Sequence, residues 1–218
     1  MEPDFWHRRW YKNEIAFHQE RINLHLQSVW PALASTPPAT VFVPLCGKSK
    51  DMLWLAEQGF DVIGIELSAI AVEDFFKENH LAPTVTTEST FKRYQSGRLT
   101  LLQGDFFELL TADLGGKVTV YDRASLIAFP PEMRPRYAKH LCALLTTGTQ
   151  MLLISMEYPE HEIKGPPFSV PESEVRRLFE DEMHIEKLRE MDVLAENPRF
   201  IQRGLTSLQE KVFKLVKR

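Results

Sequence analysis

The sequence predicts an α/β protein with a mostly parallel central sheet and helices on both faces. Between residues 38 and 156, short β-branched and nearly continuous apolar runs alternate with helical stretches. This alternation is typical of strands that crossover helices cover on both faces. Proline-rich breaks at 35–38 and 164–167 bound the region. A chain of 218 residues, 44% of them apolar, is expected to form one globular domain.

Each predicted strand of this region has its own local signal. The predicted strands are 40–43, 61–65, 99–103, 117–121 and 151–155, and the predicted helices are 50–58, 69–79 and 132–145. Gly59 is placed to end the first of these helices, and Ser68 is a good N-cap for the second. The first two strands and helices therefore make two consecutive βα units.

The segments that flank the core divide the expected domain, 1–218, into three parts. Ile15, Ile22, Leu26 and Val29 recur at helical spacing, so we expect a helix that Trp30-Pro31 ends, and residues 1–34 would form an N-terminal cover and helix. Residues 38–156 would form the cofactor-binding core. Residues 157–218 would form a substrate-side loop, a helix at 172–179 and a closing hairpin of 200–204 with 211–216.

Charge and composition favour a small-molecule ligand. The 26 basic and 30 acidic residues give a net charge of −4, without the basic excess of a nucleic-acid binder. No apolar run approaches the length of a membrane span, and the N-terminus lacks the apolar core of a signal peptide. Two cysteines give no disulfide framework, and no metal-binding motif occurs. We therefore expect a cytoplasmic monomer without a metal, a nucleic-acid partner or a membrane.

Acidic residues follow two of the predicted strands, at the edge where ligands bind in such sheets. Glu66 comes 19 residues after Gly47 and can accept the hydroxyls of a ribose, although a solvated acid before the Ser68 helix start has the same pattern. Asp105 can accept an adenine amino group with Phe106 against the ring, or it can simply be a turn residue. A nucleoside is the ligand that fits both positions.

The loop after the first strand argues against a pyrophosphate. Gly47-Lys48-Ser49 ends like a phosphate-binding loop, but Phe42 stands where that motif needs its first glycine, and no G-x-G-x-x-G occurs here. Ribose recognition without such a loop points to S-adenosylmethionine. Arg123 after the fourth strand fits this interpretation. So do aromatic residues that could cover the cleft, unless they only pack: Trp6, Trp10, Tyr11 and Phe17.

The residues resemble the thiopurine S-methyltransferase family, in particular its bacterial branch. The matching motifs are Trp6 and Trp10 followed by Ala16-Phe17-His18-Gln19-Glu20, then Val43-Pro44-Leu45-Cys46-Gly47-Lys48-Ser49, Asp51-Met52-x-Trp54-Leu55-Ala56, Val62-x-Gly64-x-Glu66-Leu67-Ser68, Tyr121-Asp122-Arg123-Ala124 and Gly165-Pro166-Pro167-Phe168. The resemblance implies a class I S-adenosylmethionine-dependent methyltransferase that acts on aromatic and heterocyclic thiols such as thiopurines. It also implies an association with selenium and tellurium methylation and with tellurite resistance.

The resemblance also implies roles for individual residues. The implied cofactor residues are Trp10, Leu45, Glu66, Asp105, Phe106 and Arg123, and the implied substrate residues are Phe17, Phe168 and Arg199. No residue is assigned as a catalytic base, and Arg123 and Arg199 are candidates for orienting the acceptor. Other readings stay open: a non-catalytic regulatory module that binds the cofactor, an O- or N-methyltransferase, and a covalent mechanism through Cys46 beside Lys48.

Overall fold

A computed structural model describes residues 3–33 and 36–218. Met1, Glu2, Ala34 and Ser35 lie outside this description, and with them the start and end of the predicted 1–34 segment and the first residue of the break at 35–38. The chain comprises two compact units, Met1–Tyr121 and Asp122–Arg218. The division of one domain into 1–34, 38–156 and 157–218 stays a prediction.

In its described residues, the first unit contains a six-stranded sheet and four α-helices. Its elements are α1 (Pro3–Tyr11), α2 (Leu24–Leu33), β1 (Thr40–Val43), α3 (Asp51–Glu57), β2 (Asp61–Glu66), α4 (Ala69–Glu78), β3 (Thr84–Thr87), β4 (Lys92–Ser96), β5 (Leu99–Gln103) and β6 (Val118–Asp122), whose last residue opens the second unit. The strand order is β3-β4-β5-β2-β1-β6. The pairs β5-β2, β2-β1 and β1-β6 are parallel, whereas β4 is antiparallel to β5 and β3 is antiparallel to β4.

The second unit is built on antiparallel strands. Its elements are α5 (Arg134–Leu144), β7 (Gln150–Glu157), α6 (Glu172–Phe179), β8 (Met183–Asp192), α7 (Pro198–Gln202) and β9 (Gln209–Lys217). Strand β9 lies between β7 and β8 and is antiparallel to both. The predicted helices 132–145 and 172–179 correspond to α5 and α6, and the predicted strand 151–155 is the middle of the longer β7.

The parallel centre of the first unit confirms the α/β class. Strand β1 lies between β2 and β6, so its apolar side chains are buried on both faces. Gly59 follows α3 with a φ of +92°, a conformation that favours glycine and ends the helix there. Ser68 caps α4 as predicted, because its Oγ accepts a hydrogen bond from the backbone N–H of Ala71.

The predicted N-terminal helix is confirmed only from Leu24 onward, and its expected start near Ile15 and its expected end at Trp30-Pro31 are wrong. The helix α2 begins only at Leu24, because the side chain of Asn23 caps it by accepting from the backbone N–H groups of His25 and Leu26 at 2.9 and 3.2 Å. It also continues through Pro31, which costs a hydrogen bond inside the helix. Burial of the neighbouring Trp30 and Leu33 offsets this cost.

The predicted closing hairpin is also wrong. Residues 200–202 belong to α7, which begins at Pro198, a residue whose fixed φ suits the first helical position. The strand partner of β9 on that side is β8, which the sequence analysis missed because almost all its residues are exposed or half-buried and many are charged. The antiparallel β3 and β4 were missed for the same reason, since among their residues only Tyr94 is buried.

Gly64 allows the loop after β1 to pack on β2. A Cβ atom at Gly64 would lie 2.7 Å from the Sγ of Cys46 and 3.1 Å from the Sδ of Met52. All three residues lie in the interior of the first unit, where an added methyl group has no free space. The position of Cys46 therefore depends on the missing side chain of Gly64.

We expect Gly64→Ala to lower the free energy of unfolding by about 1–3 kcal/mol, because the new methyl group overlaps the Cys46 sulfur. Urea titration measures the change. The double variant Gly64→Ala, Cys46→Ala removes that sulfur, so its loss should be smaller than the sum of the two single losses. Strictly additive losses would contradict the packing described for Gly64.

Candidate active site

Glu66 connects the turns that follow β1 and β2. Its Oε2 accepts a hydrogen bond of 2.9 Å from the backbone N–H of Gly47, and its Oε1 accepts one of 2.8 Å from the N–H of Ser68. The backbone of Glu66 extends the connection, because its carbonyl accepts from the N–H of Gly104 after β5. One carboxylate thus fixes the chain at the ends of adjacent parallel strands.

Burial and hydrogen bonding act on Glu66 in opposite directions. Burial raises the pKa of the carboxyl group above its ordinary value, and the backbone N–H groups of Ser68, Gly47 and Leu67 act to lower it. A carboxylate has about four lone-pair positions, so these backbone N–H groups do not occupy all of them. The predicted ribose-binding residue is therefore held in place and still able to accept hydroxyl groups.

The loop after β1 lies under an aromatic side chain. Gly47 has a φ of +53°, and a Cβ atom there would lie 3.3 Å from the indole of Trp10. Leu45 also has a positive φ, +44°, a conformation that costs a residue with a side chain roughly 1–2 kcal/mol. Strained backbone of this kind concentrates at functional sites. Trp10, on α1, thus covers the strained loop that contains Leu45, and both are predicted cofactor residues.

Three aromatic residues of the predicted cover pack on each other. Phe17 makes edge-to-face contacts with Trp6 and with Trp10, at centroid distances of 5.7 and 5.6 Å. Trp10 is buried, and Phe17 and Trp6 are half-buried. Tyr11, by contrast, is 81% exposed. Of the four aromatic residues of the predicted cover, Trp6, Trp10 and Phe17 therefore pack together and Tyr11 does not join them.

Asp105 and Phe106 follow β5 in a short 3-10 turn. The Oδ1 of Asp105 accepts from the backbone N–H of Phe107, so this carboxylate caps the turn. Within residues 3–33 and 36–218, the Oδ2 of Asp105 accepts no hydrogen bond, which leaves it for a ligand. Phe106 is 4% exposed, and its ring makes an edge-to-face contact with Phe107. Its ring thus presents little surface to a ligand in this conformation.

In the second unit, Asp122 fixes the turn that carries Arg123. Asp122 is fully buried; its Oδ2 accepts a 2.6 Å hydrogen bond from the hydroxyl of Tyr137, and its Oδ1 accepts from the N–H of Ser125. Burial raises the pKa of Asp122, and burial together with the Asp122 charge raises that of the Tyr137 hydroxyl. Arg123 itself is half-buried.

The two other predicted residues of the second unit differ in their surroundings. Phe168 is half-buried, and its backbone N–H donates to the carbonyl of Ile127 at 2.7 Å. Arg199 is exposed in α7. The loop 158–171 closes on itself, because the N–H of Tyr158 donates to the Oγ of Ser169 and that hydroxyl donates back to the Tyr158 carbonyl.

The loop residues do not support the phosphate-binding or covalent alternatives. Lys48 is buried, and its Nζ lies 2.7 Å from an oxygen of Glu78, so its charge is already paired. Burial, and then the charge of Glu66, hold the pKa of the Cys46 thiol well above its ordinary value. A neutral buried thiol is a poor nucleophile.

The burial of His18 is a feature of the site that no motif in the sequence indicates. Its side chain is 9% exposed, and its Nε2 has no hydrogen-bond partner among the described residues, since Glu20 Oε1 lies 3.4 Å away outside bonding geometry. Burial lowers the pKa of His18, Lys48 and Lys50 lower it further, and Glu20 and Glu78 act to raise it. Only its position beside Phe17 could have indicated burial.

Across residues 3–33 and 36–218, no three or more His, Cys, Asp or Glu side chains are grouped so that they could hold a metal ion. Over the same residues, no helix has both the length and the apolar content required to cross a membrane.

Solved structures with this architecture are those of S-adenosylmethionine-dependent methyltransferases. The chain is similar over 99% of its length, and 95% of the other chain, to such an enzyme from Anabaena variabilis, with a TM-score of 0.65 and 17% identity. It is similar over the same shares to the magnesium protoporphyrin IX methyltransferase of Synechocystis with bound S-adenosylmethionine, with a TM-score of 0.63 and 18% identity. The fold is therefore that of the class I methyltransferases.

The chain belongs to the thiopurine S-methyltransferase family, whose model matches residues 1–218. It is 48% identical over 218 residues to the thiopurine S-methyltransferase of Azotobacter vinelandii, which covers 100% of both chains. It is 47% identical over 215 residues to that of Pseudomonas fluorescens, which covers 99% of both. The protein is accordingly an enzyme that uses S-adenosylmethionine as its methyl donor, and the resemblance found in the sequence is confirmed.

We expect packing of the N-terminal segment to weaken as the pH falls. The pKa of His18 is lowered in the folded protein, so its contribution to stability is complete above the ordinary value of 6.5 and is lost as the pH falls below it. Urea titrations at pH 7.5 and pH 5.5 measure the loss, which should be smaller in His18→Gln than in the wild type. His7→Gln alters an exposed histidine and serves as the control. Equal losses in all three proteins would contradict the account of His18.

Proposed function

We propose that this enzyme transfers a methyl group from S-adenosylmethionine to the sulfur of aromatic and heterocyclic thiols, with thiopurines as the assay substrates. The single observation that carries the proposal is the carboxylate of Glu66, which is oriented by two backbone hydrogen bonds and keeps lone pairs for a ribose. The relatives named thiopurine S-methyltransferase support the acceptor class.

The described residues of the first unit fit the nucleoside part of the cofactor. Glu66 would accept from the ribose hydroxyls, and the open oxygen of Asp105 would accept from the adenine amino group, beside Phe106. Leu45 would contribute its strained backbone, and the indole of Trp10 would close over the loop at Gly47. When bound, S-adenosylmethionine supplies a sulfonium methyl group, which is electrophilic and suited to a soft nucleophile.

Water exclusion and orientation are the contributions that we assign to the protein. Methyl transfer to an anion annihilates charge, so a dry site favours it, and the cover of Trp6, Trp10 and Phe17 would exclude water. Aromatic heterocyclic thiols ionise readily, which makes a strong general base unnecessary. Arg123 and Arg199 would orient the thiolate, and Phe17 and Phe168 would contact its ring. An O- or N-methyltransferase would need a base for a neutral hydroxyl or amine.

The natural acceptor belongs to the same proposal. Selenide and telluride are soft nucleophiles like thiolates, so the site would methylate them by the same displacement. Because thiol reductants reduce tellurite to such anions, this activity would support tellurite resistance. The resemblance to the bacterial family supports this part of the proposal. We also propose that the enzyme works in the cytoplasm as a monomer. Selenite assayed with a reductant, beside 6-mercaptopurine, tests the metalloid acceptor directly.

We expect Glu66→Gln to weaken cofactor binding roughly 10- to 100-fold, since the amide NH2 would face a backbone N–H and one charge-assisted hydrogen bond would be lost. Calorimetric titration with S-adenosylmethionine measures this affinity. Methyl transfer to 6-mercaptopurine, followed with labelled donor, should fall in parallel at low donor concentration.

The matched control is Glu57→Gln, which makes the same change at an exposed position of α3. It should bind the cofactor and turn over like the wild type. Unchanged affinity in Glu66→Gln would contradict the cofactor site. Wild-type binding of the cofactor without transfer to 6-mercaptopurine would contradict the acceptor class instead.

A further inference from the structure

Arg134 is a fully buried arginine at the start of α5. Its side chain is 1% exposed, and its Nη1 lies 2.5 Å from an oxygen of Glu174 on α6, whose side chain is 11% exposed. Its Nε donates a 2.9 Å hydrogen bond to the carbonyl of Phe129. A buried ion pair is weak evidence for a purely stabilising role, because well-packed apolar side chains of similar volume often stabilise a protein as much. The guanidinium therefore calls for another explanation.

The guanidinium also lies over the ring of Phe168, with 5.9 Å between its Cζ and the ring centroid. A planar cation at such a distance attracts the face of an aromatic ring and favours one orientation of it. Arg134 thus contacts three separate parts of the second unit: Glu174, the carbonyl of Phe129 and the ring of Phe168. The first two contacts hold the guanidinium in place. Its contact with the ring of Phe168 therefore favours one orientation of that ring.

Hydrogen bonds fix the backbone on both sides of Phe168. The hydroxyl of Tyr158 donates to the carbonyl of Pro167 at 2.6 Å, and the N–H of Phe168 donates to Ile127. Ser169 is held by its mutual hydrogen bonds with Tyr158. Because the backbone is fixed in this way, the remaining freedom of Phe168 is the rotation of its side chain. The contact with Arg134 acts on this rotation.

We propose that Arg134 is a positioning residue that orients the ring of Phe168 to receive an aromatic acceptor. This inference rests on the proposed function, in which Phe168 contacts the acceptor ring. It predicts that loss of the planar guanidinium affects the KM of the acceptor, because the acceptor would meet a rotating ring. It leaves binding of S-adenosylmethionine unchanged.

The test compares three variants in methyl transfer to 6-mercaptopurine. Arg134→Lys keeps a positive charge for Glu174. It loses the planar guanidinium over Phe168 and the Nε–H that donates to the carbonyl of Phe129. We expect it to raise the KM of the acceptor roughly three- to tenfold, with cofactor affinity and kcat within about twofold of the wild type. Phe168→Ala should raise the same KM at least as much. The double variant should show no further rise, since both changes remove one interaction.

Arg177→Gln is the matched control. Arg177 bonds to the other oxygen of Glu174, at 3.1 Å, but is 65% exposed and makes no contact with Phe168 among the described residues. The KM of the acceptor in the Arg177→Gln variant should equal that in the wild type. If Arg134→Lys does not fold, Glu174→Gln is the variant that tests the inference. It weakens the ion pair with Arg134, so it should raise the KM of the acceptor and leave cofactor affinity unchanged.

The outcomes separate the inference from the proposed function. A raised KM in Phe168→Ala together with an unchanged KM in Arg134→Lys, or with additive effects in the double variant, would overturn the role of Arg134 only. An unchanged KM in Phe168→Ala would overturn the acceptor role of Phe168, and the inference with it. A larger loss of stability in Arg134→Lys than in Arg177→Gln, without any KM change, would show a merely structural arginine.

Discussion

The carboxylate of Glu66, with its hydrogen bonds to the N–H groups of Gly47 and Ser68, is the interaction on which the cofactor half of the account depends. A buried carboxylate is costly unless donors surround it, and here the backbone of two turns supplies them. The same bonds fix the loop on which Trp10 packs. In the proposed site, one side chain would therefore both accept from the ribose hydroxyls and hold the loop beneath Trp10.

The second unit uses the same physical solution at Asp122. This carboxylate also stands at the end of a strand, is fully buried, and accepts from the backbone N–H that follows in the next turn, at Ser125. Tyr137 adds a hydroxyl donor. The strand therefore ends in a fixed turn. This turn fixes the backbone position of the next residue, Arg123. Arg134 and Glu174 form a buried ion pair in the same unit.

The sequence predicted those elements of the fold that are buried and also have a local signal in the sequence. The apolar runs that became β1, β2, β5 and β6, the Ser68 cap and the residues after the strands were predicted because each has a local signal. The strands β3, β4 and β8 are mostly exposed and rich in polar or charged residues, so their sequences resemble those of loops. The start of α2 depended on a cap from Asn23, which a helical spacing of apolar residues cannot locate. The burial of His18 and the contact between Arg134 and Phe168 arise from tertiary packing alone.

The most direct test of the central claim is a crystal structure of the enzyme with S-adenosylhomocysteine bound. We expect both ribose hydroxyls to lie within hydrogen-bond distance of the Glu66 carboxylate, while that carboxylate keeps its bonds to Gly47 and Ser68. We also expect the adenine amino group to lie beside the Oδ2 of Asp105. A ribose bound away from Glu66, or a Glu66 side chain released from both turns when the ligand binds, would contradict it.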